Sequence, residues 1–267
     1  MNNIKALVNE DLNKVEKFLQ NFVQTDNEIL QNVSIFINNK SKRIRSIFCL
    51  LYLKALNKEI NNNIINLILA TELIHNASLL HDDVIDESEY RRGHNTLFSI
   101  YGSKISILCG DYILSEAVKK LLSINNLRIL NIFLDATKKM STAEVNQYMN
   151  RNKSELTQEQ YLNVANGKTA SLFSACLKSA AILSDIDDKN ADKIGELFGI
   201  IFQINNDLQP DSLKNDKENG VNTIVNIIGI EKTLDLKDNY KKDLKKYLVN
   251  VPINKYKQGI EDLIELL

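Results

Sequence analysis

Three carboxylates, Asp82, Asp83 and Asp86, close an apolar segment and are the strongest sign of chemistry in the sequence. The segment from Ile64 to Asp86 contains no glycine or proline and has apolar residues at nearly every turn, which predicts a buried helix. On a helix Asp82 and Asp86 share one face, and Asp83 lies about 100° round from it. Like charges so placed repel unless a cation separates them, and Mg²⁺ suits this role because it takes oxygen ligands and shares carboxylates with phosphates. A solvated acidic helix end beside a basic turn is the alternative interpretation.

Basic residues flank this acidic cluster in the sequence. Arg91 and Arg92 follow Asp86 by five and six residues and could hold phosphate oxygens that the metal does not reach. Lys42 and Arg45 precede another apolar run and could converge on one anion near a helix N-terminus. A solvated basic turn would give the same local pattern, so this second pair is open to both interpretations.

His75 and Lys168 lie in apolar helical segments where a functional and a structural role are both open. His75 precedes Asp82 by seven residues, which is two helical turns, so the two share a face. A lone histidine on an apolar helix is more often a satisfied core residue. Lys168 stands between Gly167 and Thr169, which indicates a cationic side chain in a cavity, although a surface lysine that snorkels fits equally well.

A second apolar helix is predicted from Ala191 to Asp207, and it also ends in oxygen ligands, among them Gln203 and Asn206. Pro210 then breaks the helical pattern. Facing side chains in a helix bundle build metal sites, so two such helices side by side would place their polar ends at one mouth of the bundle.

The elements that must position these residues are helical. Nine glycines and two prolines are few for this length, which favours an all-α chain. No linker or boundary is visible, so a single domain over residues 1–267 is expected. Beyond the two helices above, helical periodicity or an apolar run covers 4–23, 27–37, 47–56, 104–122, 127–150, 157–183, 224–249 and 255–266, with a mixed loop at 211–223.

Composition narrows the class of protein. The net charge of −1 gives no bulk signal for nucleic acid or a membrane surface. Cys49, Cys109 and Cys176 are widely spaced in apolar context, as is typical of buried free thiols in a reducing compartment. The first residues lack the apolar core of a signal peptide, and no run of eighteen apolar residues is present. A cytoplasmic protein without a transmembrane segment is expected.

The sequence resembles the trans-polyprenyl diphosphate synthases, all-α enzymes that extend an allylic diphosphate with isopentenyl diphosphate. The likeness covers about residues 36–225, and its most specific part is the acidic run with the arginines that follow it. The motifs that carry it are Leu80-His81-Asp82-Asp83-Val84-Ile85-Asp86, Arg91-Arg92-Gly93, Cys109-Gly110-Asp111-Tyr112, Glu144 with Gln147, Gly167-Lys168-Thr169-Ala170-Ser171-Leu172-Phe173 and Phe202-Gln203-Ile204.

The resemblance implies an isoprenoid synthase type of helical bundle with a central cavity, and a role for each matching residue. Asp82 and Asp86 are implied ligands of Mg²⁺ on the allylic diphosphate, with Asp83 in support and Asp207 as the ligand from the second helix. Arg91 is implied as a second grip on that diphosphate. The implied isopentenyl diphosphate site consists of Lys42, Arg45, His75 and Arg92. The implied cavity residues are Lys168, which would also bind the leaving diphosphate, Thr169 and Gln203.

The second acidic motif departs from the family pattern. Three aspartates are usual where this chain has Asn206, Asp207 and Pro210, so only one carboxylate remains. An active prenyltransferase, which in this family is a homodimer, is the first hypothesis. The alternative is a non-catalytic or weakly active subunit of a heteromeric synthase, because that motif is eroded.

Product length is expected to depend on small side chains below the acidic cluster. Ala77 and Ser78 stand where farnesyl-forming relatives carry aromatic residues, and Ile74 lies one turn deeper. Nothing on this helix blocks a product longer than farnesyl, so a medium- or long-chain product is expected.

Overall fold

The computed structural model describes residues 1–23, 27–38, 41–151, 153, 156–210 and 220–267. Within these ranges the chain is helical apart from one two-stranded antiparallel ribbon, formed by β1 at Tyr90–Arg91 and β2 at His94–Asn95. The all-α prediction is therefore confirmed. Residue contacts group the chain into two compact units, one of Asn2–Lys54 with Glu59–Leu130 and one of Met1, Ala55–Lys58 and Asn131–Leu267. The expectation of one domain with a central cavity stays a prediction.

The first unit contains the helices from α1 to α6. Their bounds are Asn2–Leu7 (α1), Asn9–Asn21 (α2), Glu28–Asn38 (α3), Ile44–Ala55 (α4), Asn62–Ile85 (α5) and Leu97–Ser123 (α6). The prediction of one helix over 4–23 is wrong, because the backbone leaves helical geometry at Val8 (φ −122°, ψ 14°). The Val8 side chain stays buried, so the apolar periodicity continues across the break and conceals it.

Helix α5 is the central element of this unit. The Asn61 side chain caps its first turn by accepting the N–H of Ile64 at 3.1 Å. Helix α6 packs closely against it at Gly110, where an added Cβ would lie 2.3 Å from His81 Nε2. Only glycine leaves room for the His81 ring, so the two helices can approach closely at this position. The contact fixes α6 beside the acidic end of α5.

Two predictions drawn from composition bear on α5 and on the cysteines. Among the described residues, α5 is the one helix long and apolar enough to cross a membrane by length and composition, yet 67% of its most apolar window is buried in the fold. A core helix passes the same test. The three cysteines are free and buried, as predicted.

The second unit contains most of α7 and the elements after it. Their bounds are Leu127–Met149 (α7), Gln158–Ala165 (α8), a π-helix at Asn166–Ala170, Ser171–Leu183 (α9), Asp188–Asp207 (α10), Ile224–Ile228 (α11), Ile230–Tyr247 (α12) and Lys255–Glu265 (α13). The prediction of one helix over 224–249 is wrong, because Gly229 adopts a φ of 85° that ends α11. Of the predicted loop at 211–223, residues 211–219 lie outside the described residues.

Helices α9 and α10 are in backbone contact. Added Cβ atoms would lie 2.6 Å from Ser174 Cα at Gly195 and 2.4 Å from Ala170 Cα at Gly199. The two glycines are four residues apart and therefore share one face of α10. This close packing holds the π-helix against the last turns of α10, where the second set of polar residues lies.

Candidate active site

The acidic end of α5 presents two of its three carboxylates. Asp82 and Asp86 are both half-buried, and the N–H of Asp86 bonds the Asp82 carbonyl at 2.8 Å, so the two lie one helical turn apart as predicted. The Asp83 side chain is fully buried on the inner side of the helix. The three acids therefore divide into an outward pair and an inward single residue.

A hairpin folds the basic residues back onto this helix end. Strands β1 and β2 pair Tyr90 with Asn95 and Arg91 with His94, so Arg92 and Gly93 form a two-residue turn. Both turn residues have positive φ, 54° and 82°, the signature of a type I′ turn, which explains the glycine. The sequence pattern of this stretch indicated only a basic turn, and the ribbon was not predicted.

The hairpin brings Arg91 onto Asp83. Arg91 Nε donates to Asp83 Oδ1 at 2.6 Å, beneath the outward acid pair. Burial raises the pKa of Asp83, and the charge of Arg91 opposes that rise. Arg91 is thus engaged by Asp83 through Nε, which makes it a support of the acidic end. Its expected grip on a diphosphate through its other N–H groups stays a prediction.

A cluster of positive charge surrounds His75, two turns before the acid pair. The pKa of His75 is held well below 6.5 by desolvation and then by the positive charges of Arg45, Arg92, Arg91 and Arg43. His75 is therefore a neutral hydrogen-bonding group at physiological pH. Arg45 is buried and Arg92 is exposed, and the structure brings both near His75. Lys42 is exposed and precedes Arg45 by three residues.

Arg43 is the main residue of this region that the sequence analysis missed. It is 2% exposed, and its guanidinium donates to Glu16 at 3.0 and 3.2 Å and to Glu72 at 3.2 Å. It also donates to the Ile37 carbonyl at 3.1 Å. Ser46 Oγ donates to the second Glu72 oxygen at 2.6 Å. This network fixes the segment that carries Lys42 and Arg45 against α2, α3 and α5. The partners are 27 and 29 residues away, so local pattern could not reveal them.

In the second unit, Lys168 is held by two residues of α7. It forms an ion pair with Glu144, and its Nζ donates to Gln147 Oε1 at 2.8 Å. Gly167 allows this approach, because an added Cβ would lie 2.7 Å from Ala143 Cβ. The side chain is paired and only 28% exposed, which favours a placed cation over a snorkelling one. The π-helix that presents it is a local geometry common at functional sites.

Thr169, Gln203 and Asp207 form a continuous hydrogen-bond chain. Thr169 Oγ1 donates to Gln203 Oε1 at 2.7 Å, and Gln203 Nε2 donates to Asp207 Oδ1 at 2.8 Å. The other Asp207 oxygen accepts the N–H of Ile224 at 3.2 Å, at the start of α11. Asp207 is 3% exposed, so its carboxylate is buried and hydrogen-bonded within the protein. A metal ligand at the mouth of a bundle would instead be expected to face solvent. Its metal role stays a prediction.

The donor set around the acid pair is that of a metal bound jointly with substrate. Within the described residues no group of three or more histidine, cysteine, aspartate or glutamate side chains is arranged to hold a metal ion. Asp82 and Asp86 supply two hard oxygen donors, and Mg²⁺ commonly takes one or two carboxylates and completes its shell with water and phosphate oxygens. These two residues therefore fit such an ion. The Asp83 carboxylate accepts from Arg91, and the Asp207 carboxylate accepts from Gln203 and Ile224.

The burial of Asp207 gives a testable pH dependence. Burial raises its pKa above 3.8, and hydrogen bonds from Tyr161, Ile224 and Gln203 only partly oppose this. The folded state thus binds the proton more tightly, so the group's contribution to stability is full below 3.8 and is lost as pH rises through the folded pKa. We therefore compare the free energies of unfolding of wild type and Asp207→Asn. Wild type minus variant should fall as the pH rises from 3.8 through the folded pKa, and should then level off.

Urea unfolding at a series of pH values measures this difference. A flat profile for Asp207→Asn would show that the buried carboxylate does not titrate differently on folding.

Comparison with solved structures gives the class of this fold. A polyprenyl synthase from Caulobacter crescentus, solved in complex with calcium and isoprenyl diphosphate, is 25% identical and superposes with a TM-score of 0.89 over 98% of this chain and 95% of its own. An isoprenoid synthase family member from Thermotoga neapolitana is 24% identical with a TM-score of 0.82, over 97% and 98% of the two chains. The fold is therefore that of the isoprenoid synthases.

The sequence similarity covers a smaller part of the chain than the structural similarity does. The family model for polyprenyl synthetase matches residues 26–247, and the chain belongs to that family. The octaprenyl diphosphate synthase of Haemophilus influenzae is 34% identical over 209 residues, which is 77% of this chain and 63% of that protein. A prenyl transferase of Cyanophora paradoxa is 36% identical over 77% of this chain and 66% of its own length. The chain thus spans just under two thirds of the length of these curated relatives.

Proposed function

We propose that this protein is a trans-prenyltransferase that condenses an allylic diphosphate with isopentenyl diphosphate and forms a product longer than farnesyl. The observation that carries the proposal is the arrangement on α5: an outward acid pair, with arginines gathered around His75 two turns earlier. Seven residues of helix span about 10 Å, which separates two anion sites by a short distance. Family membership and the octaprenyl relatives support the same chemistry.

Asp82 and Asp86 would hold Mg²⁺ at the allylic diphosphate. Such an ion, when bound, offsets the negative charge that develops on a leaving diphosphate. The chain's own contribution is to orient this end of the helix: buried Asp83 fixes Arg91, and the hairpin fixes Arg92. The remaining N–H groups of Arg91 would bind phosphate oxygens that the ion does not reach.

Isopentenyl diphosphate would bind at the cluster around His75. Arg45 and Arg92 would contact its phosphate oxygens, and Lys42 would add a further positive charge at the exposed side. His75, kept neutral by its surroundings, would donate one hydrogen bond without adding charge. Lys168, Thr169 and Gln203 form a separate polar group in the second unit, and we propose that they serve the same reaction as the family resemblance implies.

We also propose a cytoplasmic homodimer. Homodimers are what the family resemblance implies, and the buried free thiols support a reducing compartment. Size-exclusion chromatography with light scattering tests the oligomeric state, and a monomer would contradict the proposed homodimer.

The deciding experiment is a product assay with the purified chain. It is incubated with Mg²⁺, farnesyl diphosphate and labelled isopentenyl diphosphate, and the extracted products are separated by chain length. Extended product from this chain alone would support the proposal and exclude a non-catalytic subunit. No product at any protein or metal concentration would refute the proposal. Activity only after a second synthase is added would support the subunit alternative, which the comparisons do not favour.

Chain length should respond to Ala77. This side chain is 2% exposed on α5, and Ile74 below it is also buried, while Ser78 Oγ bonds the His75 carbonyl at 2.8 Å. If the growing chain runs along this face, Ala77→Phe should shorten the product by at least one isoprene unit, because the ring fills the space that the tail occupies. The product assay measures it. Ala6→Phe, at an exposed position of α1, is the control, and an unchanged product spectrum would refute the placement of the chain.

A further inference from the structure

The loop between α12 and α13, residues 248–254, exposes apolar side chains in a fixed position. Ile253 is 95% exposed and Val249 is 70% exposed, and Pro252 is exposed between them. Leu248 and Val251 point the other way and are 1% and 3% exposed. Buried and exposed apolar residues thus alternate along the loop. The buried side chains pack into the protein, while the exposed ones project into solvent.

Hydrogen bonds hold this loop rigidly. The Asn254 side chain accepts the N–H groups of Tyr256 and Lys257 at 3.0 Å each, which caps α13. Its Nδ2 donates to the Ala55 carbonyl at 2.8 Å. Lys257 Nζ donates to the Val251 carbonyl at 3.1 Å. Ile253 is therefore fixed outward by its neighbours, since these bonds define the backbone on both sides of it.

Lysines surround the exposed apolar loop. Between residues 241 and 258 the chain carries one acid, Asp243, and the lysines Lys241, Lys242, Lys245, Lys246, Lys255 and Lys257. The segment therefore has a charge of +5, against −1 for the whole chain. Glu265, outside the segment, lies 2.6 Å from Lys245 and 3.8 Å from Lys241, and Asp243, within it, lies 2.7 Å from Lys246. Lys241 is only 12% exposed, but Lys245 and Lys246 are 50% and 74% exposed, and exposed ion pairs are weak, so positive charge remains on these two lysines for another partner.

We propose that this basic apolar loop, residues 241–258, docks the protein on an anionic lipid surface. Ile253 and Val249 would enter the boundary between headgroups and acyl chains, and the lysines would lie among the lipid phosphates with their apolar stems against the surface. An exposed apolar tip with lysines on both sides of it in the sequence matches this partner in both chemistry and charge. The docking does not depend on catalysis, but an enzyme that makes a long polyprenyl product would release it where that product is soluble.

Vesicle co-sedimentation tests the proposal. The purified chain is mixed with vesicles of phosphatidylcholine alone, or of phosphatidylcholine and phosphatidylglycerol at two to one, at low and high salt. Wild type should sediment with the anionic vesicles and be released by salt, because screening weakens the lysine contacts. Ile253→Glu and the double variant Lys242→Gln/Lys246→Gln should each lower the partition coefficient by roughly ten-fold.

Ile230→Glu is the matched control. Ile230 is 59% exposed and is the first residue of α12. It lies about 25 Å along the helix axis from the end that leads into the exposed loop. This variant should bind vesicles as wild type does, and thermal unfolding should confirm that all the variants fold. Equal binding to neutral and anionic vesicles, full binding by Ile253→Glu, or an equal loss with Ile230→Glu would each overturn the proposal. Turnover measured without lipid should be unchanged in Ile253→Glu, so a failure of docking and a failure of the proposed activity are distinguishable.

Discussion

For the prenyltransferase proposed above, Asp82→Ala is expected to lose turnover by roughly 10²–10³-fold or more, the effect of removing one preorganised electrostatic partner of a developing charge. Asp82 and Asp86 are the two carboxylates presented outward at the end of α5, one helical turn apart. With one removed, the other would supply the only carboxylate to the proposed Mg²⁺, so less of the negative charge that develops on the leaving diphosphate would be offset. The measurement is initial rate with labelled isopentenyl diphosphate at saturating metal.

The same substitution should not destabilise the fold, which separates a catalytic from a structural role. Removing Asp82 relieves its repulsion with Asp86, so the free energy of unfolding should stay constant or rise by a few tenths of a kcal/mol. Asp135→Ala, at an exposed site on α7, is the control and should retain full turnover. A variant at Asp82 that turns over within three-fold of wild type would contradict the role given to the acid pair.

The sequence was informative where periodicity and local spacing decide structure. The spacing of Asp82, Asp83 and Asp86 correctly divides an outward pair from a third acid turned away, because helical geometry alone sets those directions. That inference depends only on residues that are near in sequence.

The features that sequence analysis missed depend on contacts between distant segments. Within the π-helix at Asn166–Ala170, Gly167 closely approaches Ala143 of α7, and no local pattern encodes that contact. The position of Asp207 in its motif likewise carries no sign of its bond to Ile224, 17 residues later. The Arg92-Gly93 turn is a partial exception, because glycine favours the positive φ that a two-residue hairpin turn requires. The flanking strands have only two residues each, which is too short for apolar and polar residues to alternate visibly.

Arg43→Met is expected to lower the free energy of unfolding by about 3–5 kcal/mol, the typical cost of removing one partner of a buried ion pair. The Arg43 guanidinium holds Glu16, Glu72 and the Ile37 carbonyl together, and the Glu72 side chain is only 2% exposed. Without Arg43, Glu72 is left as a buried charge without its cation. The measurement is urea unfolding, with the Michaelis constant for isopentenyl diphosphate as a second readout, because Arg43 positions Lys42 and Arg45.

A double-mutant cycle with Glu72→Gln identifies the cause of this loss. If the stranded charge dominates, Arg43→Met/Glu72→Gln should be more stable than the sum of the single variants predicts, because glutamine removes that charge and can still accept from Ser46. Arg128→Met, at an exposed arginine of α7, should change stability little. Additive single effects, or a loss at Arg43 no greater than at Arg128, would show that the network does not hold α2, α3 and α5 together. The positioning role of Arg43 requires two results. The double-mutant cycle must show coupling between Arg43 and Glu72, and the Michaelis constant for isopentenyl diphosphate must rise while that for the allylic diphosphate stays unchanged. A general loss of folded protein would lower activity without separating the two substrates.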